Sequence, residues 1–359
     1  MLAIVLSASG LLPKEYTFTA ESMHKVFMKQ DSWWYKQIAE EGYRELRNED
    51  EIGFSHKSEF TQSEWAFFPL YPLLLRLPMA LGLSFEASAL ILSLILSSLG
   101  FLLFYQLASR WLREKRKAYV VVLTLMLFPF NYYFSMYYSE MLFLVLLLLA
   151  FYAVVYRKWW VLGISASLLA LNRPNGLVVL LPIFVFYLEQ NALISGFSLK
   201  EFGRKRGWLV VSMLAFGPLM FAVYCWFQFE RTGFFTAFSI AQKGWYRELT
   251  WPFLSFFRHG DVATQFNSFY TLLLIIAAFL LRKKLPLSFI LLIWLSILLP
   301  LFSGSVLSMP RFVSLIFPLF LFVGAAIASR RRPYITLSML FLLQLGSFIP
   351  WLLEMPLAF

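Results

Sequence analysis

Long apolar segments recur along almost the whole chain, and they restrict what this sequence can fold into. They are residues 85–109, 118–130, 139–156, 159–171, 176–188, 208–230, 268–281, 285–302, 312–328 and 335–353. A helix that crosses a bilayer needs about 20 predominantly apolar residues, within a range of roughly 17–25. With Leu2–Leu12 interpreted as a short first helix, the pattern predicts an all-α, polytopic membrane protein of about 11 transmembrane helices. We expect one domain, residues 1–359.

The composition excludes several other classes of protein. The chain is 60% hydrophobic and only 14% charged, whereas soluble domains are about 45–50% apolar and about 25% charged. Aromatic residues make up 19% of the chain, whereas disordered chains contain few of them. A single cysteine, Cys225, excludes a disulfide framework and a thiolate metal cluster. We therefore expect no cofactor, and the sequence leaves open only a divalent cation.

Basic residues are concentrated in alternate loops between the apolar segments. The clusters are Arg110, Arg113, Lys115, Arg116 and Lys117; Arg157 and Lys158; Lys200, Arg204, Lys205 and Arg206; Arg282, Lys283 and Lys284; and Arg330, Arg331 and Arg332. Cytoplasmic loops of membrane proteins carry an excess of Lys and Arg, so all five clusters are predicted to be cytoplasmic. The net charge of +11 then reflects topology, and we expect no nucleic-acid partner.

This orientation leaves two long loops on the outer side, residues 13–84 and 231–267. The first contains Phe67–Leu83, which is apolar enough to be mistaken for a span. Its three prolines and Arg76 favour a helix that lies on the outer surface of the membrane. A span here would reverse the side of every later loop.

All the polar and aromatic motifs of the chain fall on this predicted outer side. They are Gln30–Trp34, Glu64–Pro69, Tyr137–Glu140, Asn172–Gly176, Gln242–Trp245 and Pro310–Arg311. A transporter needs polar residues along a path that crosses the membrane. The one-sided distribution instead favours an enzyme that works at the outer face, with a lipid or polysaccharide transporter as the alternative.

Three acidic residues in these motifs are candidates for proton transfer. Asp31 can be the N-cap of a short helix that Gly42 ends, and the helix dipole there also favours an ionised general base. Glu64 precedes a Phe-Phe-Pro turn and is otherwise an exposed loop acid. Glu140 opens an apolar helix, where the dipole favours an acid, yet a carboxylate beside an apolar span is typical of a functional site.

Three cations accompany these acids on the predicted outer side. They are Arg173, Lys243 and Arg311. An isolated arginine at a helix end is more often a snorkelling anchor. Arginine suits bidentate phosphate contacts and lysine a point contact. Three cations and three acids beside helix breaks favour a site for an anionic lipid head group.

The motifs resemble those of the GPI mannosyltransferase II (PIG-V-like) family and its prokaryotic relatives. Residues Asp31–Tyr43, D-S-W-W-Y-K-Q-I-A-E-E-G-Y, are similar to that family's W-D-x-x-(W/H)-(Y/F)-x-x-I-A-x-x-G-Y segment. Residues Ala66–Pro72, A-F-F-P-L-Y-P, match its A-F-F-P-L-(Y/F)-P box. Its later motifs are matched, in order, by Tyr138–Glu140, Asn172–Gly176, Gln242–Trp245, Pro310–Arg311 and Phe317–Phe320. One departure is Gln30, where the family usually has tryptophan.

The resemblance implies a GT-C glycosyltransferase that takes a sugar, in the leading case mannose, from a polyprenyl-phosphate donor and inverts its anomeric carbon. The acceptor is a lipid or glycan hydroxyl. The short loops and the absence of a GPI-specific feature favour a prokaryotic enzyme in the cell (inner) membrane, and the basic clusters predict that the active site faces outward. By the same resemblance, Asp31 is the catalytic base; Arg173, Lys243 and Arg311 bind the donor phosphate. The expected sugar and acceptor pocket comprises Glu64, Tyr138, Glu140, Asn175, Gln242 and Trp245.

The alternatives are another sugar, a lipid A or protein acceptor, a transporter, or a GT-C scaffold that has lost its activity. We expect no metal ligands among the site residues.

Overall fold

A computed structural model describes residues 20–56, 59–257, 260–353 and 355. These residues are mostly helical, which agrees with the predicted all-α class. The predicted first helix, Leu2–Leu12, lies outside the described residues. Among the described residues, four helices are long and apolar enough to cross a membrane: Phe85–Leu112, Gly207–Thr232, Val262–Leu281 and Pro333–Leu352. The other apolar helices are shorter, so the count of about 11 spans remains a prediction.

The first outer loop contains short elements. They are α1 (Ala20–Phe27), α2 (Asp31–Glu40), α3 (Glu49–Ile52), strands β1 (Phe54–His56) and β2 (Glu59–Thr61), and α4 (Leu70–Met79). The two strands pair antiparallel, with Phe54 opposite Thr61. This small sheet departs from the all-α prediction, since three-residue strands carry no detectable hydropathy period.

Helix α4 occupies the segment that was predicted not to cross the membrane. Its 10 residues span only about 15 Å, too short for a bilayer core of about 30 Å. The Arg76 guanidinium donates to the carbonyl oxygens of Ala39 (2.8 Å) and Ile38 (3.0 Å). The arginine in this apolar segment therefore satisfies carbonyls at the end of α2 and holds the two helices together.

The remaining helices form the body of the protein. In chain order they are α5 (Phe85–Leu112), α6 (Lys115–Leu127), α7 (Glu140–Val155), α8 (Trp159–Asn172), α9 (Asn175–Val178), α10 (Leu180–Gln190), α11 (Leu199–Arg204), α12 (Gly207–Thr232), α13 (Ala237–Ala241), α14 (Val262–Leu281), α15 (Leu287–Phe302), α16 (Met309–Val313), α17 (Phe317–Ala328) and α18 (Pro333–Leu352). Each apolar segment predicted from residue 85 onwards is helical. Two of them, 176–188 and 312–328, are divided into two helices.

Helix α7 lies at the centre of this body. It is apolar on every side, and nearly all of its residues are buried, as expected for a helix surrounded by other helices. Helices α5, α8 and α10 pack around it. The first residue of this central helix is Glu140, so the packing carries a carboxylate into the protein interior.

The predicted orientation can be tested with single cysteines in a Cys225→Ser background. We expect Ser55→Cys to react with a membrane-impermeant maleimide added outside, and Lys283→Cys to react only after the membrane is permeabilised. The reason is that Lys283 lies in a basic cluster, which is retained on the cytoplasmic side. Labelling of Ser55→Cys from the cytoplasmic side alone would reverse the orientation of every loop.

Candidate active site

Residues from four separate elements meet in one buried ion-pair network. The Arg311 guanidinium, on α16, lies 2.6 Å from Asp31 Oδ2 at the start of α2, and its Nε donates to Glu140 Oε1. Arg173, which follows α8, donates from Nη1 to the same Glu140 oxygen at 2.7 Å. The Glu140 side chain is fully buried. We call Asp31, Glu140, Arg173 and Arg311 the ion-pair cluster.

Local sequence explains why each of these groups is held in place. Glu140 is in the first turn of α7, where the helix dipole favours a carboxylate. Arg173 has an extended backbone, with φ −159°, because the following Pro174 disfavours a helical conformation. Arg311 follows Pro310, which lies in the first turn of α16.

Hydrogen bonds to Ser139 hold the surrounding elements against the cluster. The Tyr35 hydroxyl lies 2.8 Å from Ser139 Oγ, which links α2 to the start of α7. The Asn172 side-chain amide donates to the Ser139 carbonyl at 3.3 Å, which links the end of α8 to the same point. The three helix ends therefore share one anchor next to Glu140.

A backbone contact fixes the turn that carries Arg173. A Cβ atom added to Gly176 would lie 1.8 Å from the Leu169 carbonyl oxygen, so only glycine allows α9 to fold back on the end of α8. We expect Gly176→Ala to destabilise the protein by about 1–3 kcal/mol and to displace Arg173. Thermal unfolding in detergent measures this, with Gly196→Ala as the control, since a Cβ there meets nothing within 4 Å. Equal melting temperatures for the two variants would contradict the prediction.

A cavity of about 660 Å³ opens beside the cluster. The sequence-predicted site residues in its lining are Asp31, Arg173, Lys243, Arg311, Asn175, Gln242 and Trp245. The lining also contains apolar side chains from α7 and α15, including Phe143, Leu147 and Leu299. The cavity is therefore amphipathic, because charged and apolar side chains share its lining.

Three residues expected in the pocket, Glu64, Tyr138 and Glu140, lie outside its lining. Glu140 is buried beneath Arg173 and Arg311, and Tyr138 is buried with its ring 4.4 Å from the Arg311 guanidinium. The Tyr138 hydroxyl donates to the Lys29 carbonyl at 3.0 Å. Both support the cavity wall instead of lining it, because the packing of α7 draws them into the interior.

Glu64 was interpreted as an exposed acid or a pocket residue, and it is neither. Its side chain is fully buried, and its carboxylate accepts from Arg44 through Nη2 (2.6 Å), Nε (2.9 Å) and the backbone N–H (2.8 Å). Burial raises the pKa of this carboxyl, but the Arg44 hydrogen bonds outweigh burial and hold the pKa below its ordinary value. Glu64 thus anchors the first outer loop.

The proposed capping role of Asp31 is wrong. Gln30, with φ 49°, occupies the N-cap position of α2, and Asp31 is the first helical residue. The other end follows the prediction, because Gly42 has φ +87° and its N–H donates to the Ile38 carbonyl. The Asp31 carboxylate is therefore available for Arg311 and for the cavity. Within the described residues, its Oδ1 has no hydrogen-bond partner.

Arg247 is a cavity residue that sequence reasoning missed. Its guanidinium donates to Ser303 Oγ (3.0 Å) and to the Leu307 carbonyl (2.9 Å). Burial, together with the nearby Arg311 and Arg173 charges, lowers the pKa of Arg247 to about 10, although the Asp31 carboxylate opposes the shift. Arg247 and Arg173 both lie within 6 Å of the Phe312 ring, at 5.5 and 5.7 Å. The only sequence signal was its place, two residues after Trp245 in the second outer loop.

The cavity lining contains four cationic side chains, Arg173, Lys243, Arg247 and Arg311, and two acidic ones, Asp31 and Glu248. Three guanidinium groups, of Arg173, Arg247 and Arg311, face the carboxylates of Asp31 and Glu140. Arg247 remains protonated at neutral pH even with its lowered pKa. Because the cations repel one another, an anion bound between them would relieve the repulsion. The arrangement can hold a singly charged phosphate group beside a carboxylate.

Lys243 lines the mouth of the cavity but is already paired. Its Nζ lies 2.5 Å from Glu49 Oε1, and both side chains are partly exposed. The pair joins the two outer loops, since Glu49 belongs to α3 in the first and Lys243 to the second. Exposed pairs are worth little, about 0–1 kcal/mol, so a ligand phosphate could replace Glu49 as the partner of Lys243.

No group of three or more His, Cys, Asp or Glu residues in the described part of the chain is placed to hold a metal ion. Comparisons with known protein families, with curated proteins and with solved structures found no match.

Proposed function

We propose that this protein is a membrane-embedded glycosyltransferase that moves a sugar, mannose in the leading version, from a polyprenyl-phosphate donor to a lipid or glycan hydroxyl at the outer face of the membrane. The observation that carries the proposal is the cavity itself. Asp31, Glu248, Lys243 and three arginines share its lining with apolar side chains such as Phe143 and Leu147. These groups match a substrate with an anionic phosphate, a polar sugar and a hydrocarbon chain.

In this proposal the donor phosphate lies between Arg173 and Arg247. A sugar-phosphate-lipid is a diester with one negative charge, and both of these guanidinium groups line the cavity and can face that charge. When the bond from the anomeric carbon to the phosphate oxygen breaks, that oxygen keeps the electron pair and the phosphate gains charge. Fixed cations therefore stabilise the transition state more than the bound donor.

Asp31 is the proposed general base. It lines the cavity, and one of its oxygens, Oδ1, has no hydrogen-bond partner within the described residues. The acceptor hydroxyl gives its proton to this carboxylate while its oxygen attacks the anomeric carbon from the side opposite the phosphate, which inverts the configuration. General-base assistance of this kind contributes about 10²–10⁴-fold.

A polar wall beside Arg173 supports a sugar site. The side-chain oxygens of Asn172 and Asn175 are buried and have no hydrogen-bond partner in the described part of the chain, and both residues line the cavity. A buried acceptor without a donor is costly. Sugar hydroxyls are donors that would satisfy both oxygens.

The apolar wall supports a long hydrocarbon chain. Phe143 and Leu147 lie one helical turn apart on α7 and line the cavity below Glu140. From Glu140 to Leu147 the helix advances about 10 Å, so the wall continues away from the Glu140 carboxylate. An isoprenoid chain could lie along it with its phosphate at the arginines.

The decisive experiment is transfer by the purified full chain in detergent. Labelled polyprenyl-phosphate-mannose and polyprenyl-phosphate-glucose are each offered with a glycolipid, lipid A and a Ser/Thr peptide as acceptors. We expect a labelled product with the mannose donor and a lipid or glycan acceptor. Failure with every pair, together with movement of intact donor across sealed vesicles, would overturn the proposal in favour of a transporter.

A further inference from the structure

A second large cavity lies at the far end of α5. Its volume is about 770 Å³, and its lining includes Gln106, Ser109, Arg110, Arg113, Lys115 and Tyr156. We call it the basic cavity. We propose that it binds the phosphate head group of an anionic phospholipid, in the membrane leaflet opposite the candidate active site. The inference does not depend on glycosyl transfer.

The length of α5 separates the two cavities by the thickness of a membrane. At its start, Glu86 accepts from Lys36 of α2 at 2.7 Å, close to the helix that carries Asp31. The helix is 28 residues long, and it rises about 36 Å between Glu86 and Arg110. A bilayer is about 40–45 Å thick including its head groups. The basic cavity therefore lies at the level of the opposite lipid head groups.

The charges of the basic cavity are not neutralised within the protein. Arg110, Arg113 and Lys115 form no ion pair within the described residues. The one acid in the lining, Glu114, already accepts from Lys117 at 2.9 Å. Three cations therefore face a cavity whose only carboxylate is paired elsewhere.

The backbone brings these three cations and the first N–H groups of α6 to the same side of the basic cavity. Arg113 has a left-handed conformation, φ 54°, which ends α5 and reverses the chain. Helix α6 then begins at Lys115, and its N-cap residue, Glu114, makes no side-chain capping bond. The first N–H groups of a helix attract anions, so the start of α6 adds to the three cations.

Two features indicate that the cavity can hold a ligand: a hydroxyl group without a partner and a guanidinium group held against the wall. The Ser109 hydroxyl is buried there without a hydrogen-bond partner among the described residues. The Arg110 guanidinium lies 5.5 Å from the Tyr156 ring centroid, which holds the cation on the cavity wall. A phosphate oxygen would accept from both groups. Basic pockets between membrane helices are a known means of binding anionic head groups.

Lipid binding to the purified full chain tests the inference. Delipidated protein in a zwitterionic detergent is titrated with short-chain phosphatidylglycerol or phosphatidylcholine, and bound lipid is counted by native mass spectrometry. We expect saturable binding of phosphatidylglycerol and weak binding of phosphatidylcholine. Each cation removed should weaken binding about fivefold, so Arg110→Gln/Arg113→Gln/Lys115→Gln should lose on the order of 100-fold.

The matched control is Arg330→Gln/Arg331→Gln/Arg332→Gln. It removes the same charge from another basic loop predicted on the same face, at residues that do not line the basic cavity. We expect it to bind phosphatidylglycerol like the unmodified protein. Equal losses in both triple variants would overturn the site in favour of diffuse attraction. Displacement of the lipid by millimolar inorganic phosphate would overturn the lipid assignment in favour of a free anion.

Discussion

Asp31→Asn is expected to lower the rate of sugar transfer by about 10²-fold or more while the protein stays folded. Asparagine has the size of aspartate, and its oxygen can still accept from Arg311, which lies 2.6 Å from Asp31 Oδ2. The amide, however, cannot take the proton of the acceptor hydroxyl. Initial rates at saturating donor and acceptor measure the effect.

For Asp31→Asn we also expect a specific effect on the affinity for the donor. Loss of the Asp31 charge removes a carboxylate that repels the donor phosphate, so a polyprenyl-phosphate should bind at least as tightly as before. Arg173→Ala should do the opposite and weaken donor binding together with transfer, because it removes a phosphate contact. Binding is measured by displacement of a fluorescent polyprenyl-phosphate.

Asp50→Asn is the matched control for Asp31→Asn. Asp50 is an exposed acid in the same outer loop, and its substitution should leave both rate and affinity unchanged. If Asp31→Asn transferred sugar at the unmodified rate, Asp31 would serve only as the partner of Arg311. The base would then have to be another group at the cavity, since Glu64 and Glu140 lie outside its lining.

Glu140→Gln is expected to be the most destabilising substitution of a site residue. The buried Glu140 carboxylate compensates Arg173 and Arg311, whose side chains are only 14% and 10% exposed. Removing one partner from a buried ionic network leaves charge without compensation, at a cost of about 3–5 kcal/mol. Chemical unfolding of the purified protein in detergent measures the loss.

Glu64→Gln is the comparison for this prediction. Glu64 is as deeply buried as Glu140, but its partner Arg44 is 51% exposed, so the guanidinium can turn to water when the carboxylate is lost. We therefore expect a smaller loss, about 1 kcal/mol. If Glu140→Gln and Glu64→Gln lowered the free energy of unfolding equally, the negative charge of Glu140 would not be what compensates the arginines of the ion-pair cluster.

The sequence was informative where one local rule decides the structure. Every apolar segment from residue 85 onwards is helical, because a run of apolar residues has few other ways to satisfy its backbone in a membrane. Gly42 was predicted to end α2 and does so with a positive φ. Asp31, Arg173 and Arg311 were selected as charged residues beside helix ends and breaks, and all three line one cavity.

The tertiary structure decided how those charges pair and which of them reach the cavity. Glu140 meets Arg173 and Arg311, which lie 33 and 171 residues away in the chain, and Arg44 draws Glu64 into the interior. Arg247 joins the site through partners more than 50 residues away. No periodicity or local motif records such pairings. They depend on the packing around α7. A buried carboxylate is costly unless it is paired, so each one pairs with the cation that this packing brings close to it.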